Sequence, residues 1–344
     1  MFVTAAGAPG SGTPLDTIAD PTLWAITIGA IVALFILDFL ITRRPHKVVM
    51  KEAIGWSIFY IALPLTFGLW VWLEHGGETG LQYYTGYIVE KSLSVDNLFV
   101  FLLLLTAFAV PAEYQQRVLL IGIAGALVLR AIFIALGAQL IASFSWAFLL
   151  FGAILLVTAV KVFRDASDQE QKEIDIGEMR VVRLMRKVWP VESEYHGTKL
   201  SVKVDGRRAI TPMALVIVAI LTTDVVFAID SVPAVYGITA DPYLVFVTNA
   251  FALLGLRALY FVVAGALASL AHLGYGLAVI LAFIGVKLVL HWAHGIWPQV
   301  PEVPTLPSLI FVVGVLLVVT ATSLHARRRD ARRAARPEVP ASRD

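Results

Sequence analysis

The chain contains no cysteine. That excludes disulfides, thiol redox chemistry and thiolate metal sites. Charge is scarce as well. Only 15% of residues are charged, against roughly 25% in a soluble domain. No nucleotide-binding motif and no nucleophile–base set is present, so neither ATP-driven work nor an enzyme is expected. The first 21 residues carry no Lys or Arg. A secretory signal needs a positive region before its apolar stretch, so residues 1–22 read as an extracytoplasmic leader.

What is abundant is apolar. Of 344 residues, 58% are hydrophobic, and mean hydropathy is +0.80. Runs of about 20 apolar residues are long enough to cross a hydrocarbon core. Nine such runs stand out, at 23–42, 54–73, 83–109, 117–137, 144–163, 212–236, 243–267, 275–292 and 306–324. They do not alternate as barrel strands do, and lipid leaves a spanning chain no choice but helix. The expected fold class is therefore all-α, a polytopic helical membrane protein of nine spans.

Lys and Arg set the direction. Loop 43–52 holds Arg43, Arg44, Lys47 and Lys51. Segment 164–209 holds ten basic residues, and the tail after Leu324 holds seven arginines. With nine spans all three lie on one side, while the connecting segments on the other side hold no Lys or Arg. The N-terminus is expected outside and the C-terminus in the cytoplasm of a bacterial plasma membrane. The organisation is then a membrane part 23–163, a mixed-charge cytoplasmic linker 164–209, a second membrane part 210–325 and a basic tail 326–344. The linker has room for a short helix around 168–188. Basic flanks suit anionic headgroups; no nucleic-acid partner is expected.

The chain repeats itself. Glu90-Lys-Ser-Leu-Ser-Val-Asp96-Asn97 matches Asp224-Val-Val-Phe-Ala-Ile-Asp230-Ser231. Leu129-Arg130-Ala131 matches Leu256-Arg257-Ala258, and Val160-Lys161 matches Val286-Lys287. The units, 83–163 and 212–292, each hold three spans. An odd number of crossings turns the two copies in opposite directions, the inverted-repeat plan of many secondary transporters.

Ionisable groups at mid-bilayer cost roughly 2.5–3.5 kcal/mol each on insertion scales. Glu90, Asp96, Asp224 and Asp230 are the candidate metal ligands, with Arg130 and Arg257 as charge partners that offset their repulsion. Acids six residues apart are turned by 240° on a helix and lie about 9 Å apart along its axis. Convergence therefore needs a broken helix or both repeats. Pro233 removes the amide that would pair with Ile229, and a break there would free a carbonyl beside Asp230; Phe99 stands at the matching place. Asp96 and Asp230, each followed by a side-chain oxygen, read as the core ligands. Asn97, Ser231, Asn249 and Thr223 are the supporting shell, with Ser94 and Thr222 as further neutral oxygens. Asp38 and Lys91 are candidates for the pathway, although Lys91 could pair locally or snorkel outward. Oxygen ligands without thiols suit a hard divalent cation. His291 and His294, between Trp292 and Trp297, read as interface residues.

The stretch Tyr87-Ile-Val-Glu90-Lys-Ser-Leu-Ser-Val-Asp96-Asn97-Leu-Phe99-Val-Phe101 resembles the signature of the TerC family of bacterial membrane proteins. So do Asp224-Val-Val-Phe-Ala-Ile-Asp230-Ser231-Val-Pro233-Ala234 and Asn249-Ala-Phe-Ala-Leu-Leu-Gly255-Leu-Arg257-Ala-Leu-Tyr260-Phe261. Gln116 departs from the His that many members carry before the Arg117 position. The resemblance implies an integral membrane protein named for tellurium resistance, with members that export Mn²⁺, and a kinship to LysE-type exporters. Tellurite is an anion and does not suit an acid-lined site. The expected function is secondary export of a divalent cation, Mn²⁺ foremost, with no permanently bound cofactor and with protons as a coupling ion. The alternative is a membrane-assembly or metal-stress complex component that transports nothing.

Overall fold

A computed structural model describes residues 16–41, 49–167, 179–192, 194–204, 207–263 and 273–334; within α3, defined next, it does not describe the side chains of Val95, Asp96 and Phe99. The elements are α1 (Pro21–Ile41), α2 (Met50–His75), α3 (Gly77–Ala107), α4 (Ala112–Ser143), α5 (Ala147–Ser167), α6 (Arg180–Val188), β1 (Ser201–Val204), β2 (Arg207–Ile210), α7 (Pro212–Tyr236), α8 (Pro242–Leu254), α9 (Leu256–Val263), α10 (Leu273–Ile296) and α11 (Thr305–Ala334). The protein is an all-α polytopic membrane protein. A two-stranded antiparallel hairpin, β1–β2, is an addition to that class which the sequence analysis did not include.

Among the described residues eight segments are long and apolar enough to cross a membrane, with α8 and α9 together counting as one. The expected ninth, at 83–109, is the helix α3, whose Glu90, Lys91 and Asp96 keep it off that set. It is no surface helix: Tyr83, Val89, Leu98, Phe101 and Leu104 are fully buried. A helix that carries charge through an apolar solvent must be wrapped by other helices, and α3 packs against α2, α7 and α8. Helix α8 is deepest, buried at every position from Tyr243 to Leu254. By contrast α1 shows Ile26, Val32, Ile36 and Leu40 outward, as a lipid-facing helix does.

The two triplets of helices meet member by member. α5 lies along α10, α3 contacts α7, α4 contacts α8, and α4 also packs on α7 as α3 does on α8. Gly152 and Gly285 let α5 and α10 approach closely, since a Cβ on Gly152 would come 2.9 Å from the Gly285 carbonyl. Near the start of α3, Gln82 accepts a hydrogen bond from Thr239, just past the end of α7 (2.8 Å). At its other end, Phe108 O accepts from Tyr195 (2.9 Å), in the segment that leads into α7. Thus α3 and α7 run antiparallel.

The expected break at Pro233 is corrected. Helix α7 continues through Pro233 to Tyr236 without interruption. One missing amide in a packed helix leaves the rest of the ladder intact. The expected linker segment packs against the helices. Its short helix is α6, and Val182, Met185, Val191, Tyr195 and Ile210 join an apolar cluster with α3, α4 and α7. Residues 168–178 of the expected linker helix lie outside the described residues. α11 runs on to Ala334, past the expected end of the last span at 324. Thr211 caps α7 and Asp241 caps α8, each ahead of a proline at the first helical position.

Candidate functional site

Helical spacing sorts the acids. Glu90, Ser94 and Asn97 stand at i, i+4 and i+7 and share one face of α3. Asp224 and Ser231, seven residues apart, share one face of α7 in the same way. All five are buried. These two faces converge on Arg130, which α4 brings in from the side. Gly122 and Gly125 allow that approach, because a Cβ at either would collide with Ile220 or Leu221 of α7.

Arg130 is completely buried. Its Nη1 donates to Glu90 Oε1. Nε and Nη2 donate to the two Asp224 oxygens at 3.2 and 3.1 Å, a planar fork meeting a carboxylate. With its amide turned so that the oxygen faces inward, Asn97 accepts from Nη2 at 2.9 Å and donates to Leu93 O. Two carboxylates thus share one guanidinium. Beside Glu90 stands Asn249 of α8. Glu90 Oε2 is buried here without a hydrogen-bond partner, and so are Ser94 Oγ on the same face of α3 and Ser231 Oγ on the same face of α7. Such atoms normally cost about 1–3 kcal/mol each when left unmade.

The four expected ligands do not form one cluster. Asp230, six residues after Asp224, is rotated away from the site, as the 240° step requires. It accepts from Thr158 of α5 at 2.8 Å and lies near Lys161. The Asp96 side chain lies outside the described residues. Among the described residues no group of three His, Cys, Asp or Glu stands close enough to hold a metal. Thr223, expected in the shell, donates to Ala219 O on its own helix.

Among the described residues Arg257 pairs with none of Glu90, Asp224 and Asp230. Its Nη2 donates to Asp38 of α1. Asp38, expected on the pathway, is thereby a buried partner of the second arginine. Lys91 does not reach outward; its Nζ donates to Ala252 O near the end of α8 (3.3 Å). A Cβ on Gly255 would lie 3.0 Å from that ammonium, so glycine at the α8–α9 interruption gives the lysine room. At the far end, His291 bonds Glu302 and His294 bonds Val300 O, binding α10 to the segment before α11.

Sequence reasoning passed over Thr158 and the Asp38–Arg257 pair. Thr158 lies one turn before Lys161, a residue already singled out. Asp38 and Arg257 are opposite charges, each inside an expected span, 23–42 and 243–267.

The sequence profile of the "Integral membrane protein TerC family" matches residues 75–331. The chain belongs to the TerC family. A membrane protein of Myxococcus xanthus of uncharacterised function is 41% identical over 275 residues, 80% of this chain and 85% of its own. One of Mycobacterium tuberculosis is 41% identical over 277 residues, 80% and 70% of the two chains. An Escherichia coli relative named "Putative membrane-bound redox modulator Alx" is 39% identical over 286 residues, 80% and 88%. No solved structure matches. This TerC protein places all its described site residues within the matched region except Asp38.

Proposed function

We propose that this TerC protein is a secondary exporter of a divalent cation, with Mn²⁺ as the cargo. One observation carries the reading. Glu90 and Asp224 outnumber the single guanidinium between them, inside a membrane, and Glu90 Oε2 is buried without a partner. An excess carboxylate charge in that setting needs a cation to offset it. Glu90, Asp224, Asn97, Ser231 and Asn249 supply hard oxygen ligands. The cargo binds by exchange with the Arg130 guanidinium, which uses the same carboxylate oxygens. Asp230 stands further along the route, and Asp96, its match in the other unit by sequence, is assigned to the route with it.

The antiparallel α3 and α7 and the member-by-member contacts of the two triplets support an inverted repeat, with alternating access between them. The basic segments put the N-terminus outside and the C-terminus in the cytoplasm of the plasma membrane. Protons are the coupling ion, since a carboxylate that releases a metal can take up H⁺. No catalysis, nucleic acid or resident cofactor enters this reading. The redox modulation in the name of the Escherichia coli relative cannot run through thiols here, because the chain has no cysteine.

The test is counterflow of radiolabelled Mn²⁺ in vesicles of the purified protein. Saturable exchange is expected, with loss in Glu90→Gln and Asp224→Asn. No exchange of Mn²⁺, Ca²⁺ or Mg²⁺ by folded wild type overturns the transport reading. Normal exchange by both variants overturns the site.

A further inference from the structure

The two matched arginines have unlike partners. Arg130 bridges Glu90 and Asp224, the two acids that the repeat makes equivalent. Arg257, the counterpart of Arg130, instead meets Asp38 of α1, a helix that belongs to neither unit. Exchanging the units turns Glu90 into Asp224 and Asp224 into Glu90, so the acid pair maps onto itself. The same exchange turns Arg130 into Arg257. Either guanidinium is therefore suited to this one pair of carboxylates, and Arg130 fills it with Nε and both terminal nitrogens.

We propose that Arg257 is the alternate occupant of the Glu90–Asp224 pair. Asp38 is then a positioning residue that holds Arg257 away while Arg130 is in place. Local structure fits this division. Arg130 sits within α4, a helix of 32 residues. Arg257 is the second residue of α9, two positions after the interruption at Gly255. Val128 stands at the matching place in α4, where the helix is unbroken. Helix α9 already packs against α3 and α4, which carry Glu90 and Arg130. Asp38 also satisfies its arginine less fully than the acid pair does, since Arg257 Nε is buried with no partner.

For transport, the exchange would let one guanidinium leave with the opening of one side while the other closes the site from the opposite unit. That consequence rests on the proposed cation site. The exchange itself concerns only the acids, so it is tested without any cargo.

The experiment is thermal melting of purified protein in EDTA. In the wild-type background Asp38→Asn is expected to lower Tm, because it leaves a buried arginine unpaired. In the Arg130→Gln background it is expected to raise Tm by about 5 °C, because the released Arg257 takes the orphaned acids. Adding Arg257→Gln to that double variant removes the gain. If Arg130→Gln gives too little protein, Arg130→Leu carries the same sign reversal. Equal losses from Asp38→Asn in both backgrounds overturn the proposal, as does a gain that survives Arg257→Gln. Absence of Mn²⁺ flux would sink the transport reading and leave these shifts to stand or fall separately.

Discussion

Replacing Asp224 with Asn should be far more damaging than the same change at Asp230. The two residues lie on one helix within two turns, and both are intramembrane acids. Asp224 is fully buried and takes two hydrogen bonds from Arg130 at 3.1 and 3.2 Å. Asparagine keeps one acceptor but turns an amide NH₂ towards a guanidinium. It also removes the charge that offsets a completely buried cation. Breaking a buried ion pair from one side costs about 3–5 kcal/mol. Glu90 still faces Arg130, so the low end, about 3 kcal/mol, is the expected loss. At roughly 2–4 °C per kcal/mol, Tm should fall by about 6–12 °C. Asp230 holds only Thr158 directly, with Lys161 nearby, and an asparagine oxygen can still accept that hydroxyl. Its Tm should move by no more than about 2 °C. The assay is a melting series in one detergent, with tryptophan fluorescence as the readout. Equal shifts for the two variants would refute the assignment of Asp224 to the buried cluster and of Asp230 to a separate one.

Thr158→Val should remove the hydroxyl on Asp230 and cost about 1 kcal/mol, with no further loss when combined with Asp230→Ala; additive losses in that cycle would deny the contact. Gly152→Val should force α5 from α10, because the new Cβ would meet the Gly285 carbonyl at 2.9 Å; a cross-linking yield between the two helices equal to wild type would count against it. Tyr195, in the linker, donates to Phe108 O, and its burial pushes the phenol up to about 12. A raised folded value means stability that is full below the unfolded value near 10 and is lost as pH rises through 12. Protection from hydrogen exchange at the turn after α3, relative to the intrinsic base-catalysed rate, should therefore fall over that window, and Tyr195→Phe should abolish that fall; an unchanged protection profile would refute the docking.

Much of the architecture follows from apolar run length. A span must close its backbone hydrogen bonds within itself, so local composition is enough to mark it. The proposed repeat was drawn from a similar cue, as charged residues are rare enough in spans for their order to be informative. Spacing also contained the sorting of the acids, because the 240° step between residues six apart is a property of any helix. Three things only the tertiary structure decided. Which acids meet depends on how α3, α4 and α7 are rotated about their axes, and apolar faces on every side leave that rotation open in sequence. Arg257 finds Asp38 because α1 packs against α8, the helix that leads into α9, a contact 219 positions apart in the chain. The linker docks under α3 and α4 through a few apolar residues scattered among charges, a pattern without the periodicity of a span. In each case the deciding contact joins residues remote in sequence, and a local pattern carries no information about its partner's place.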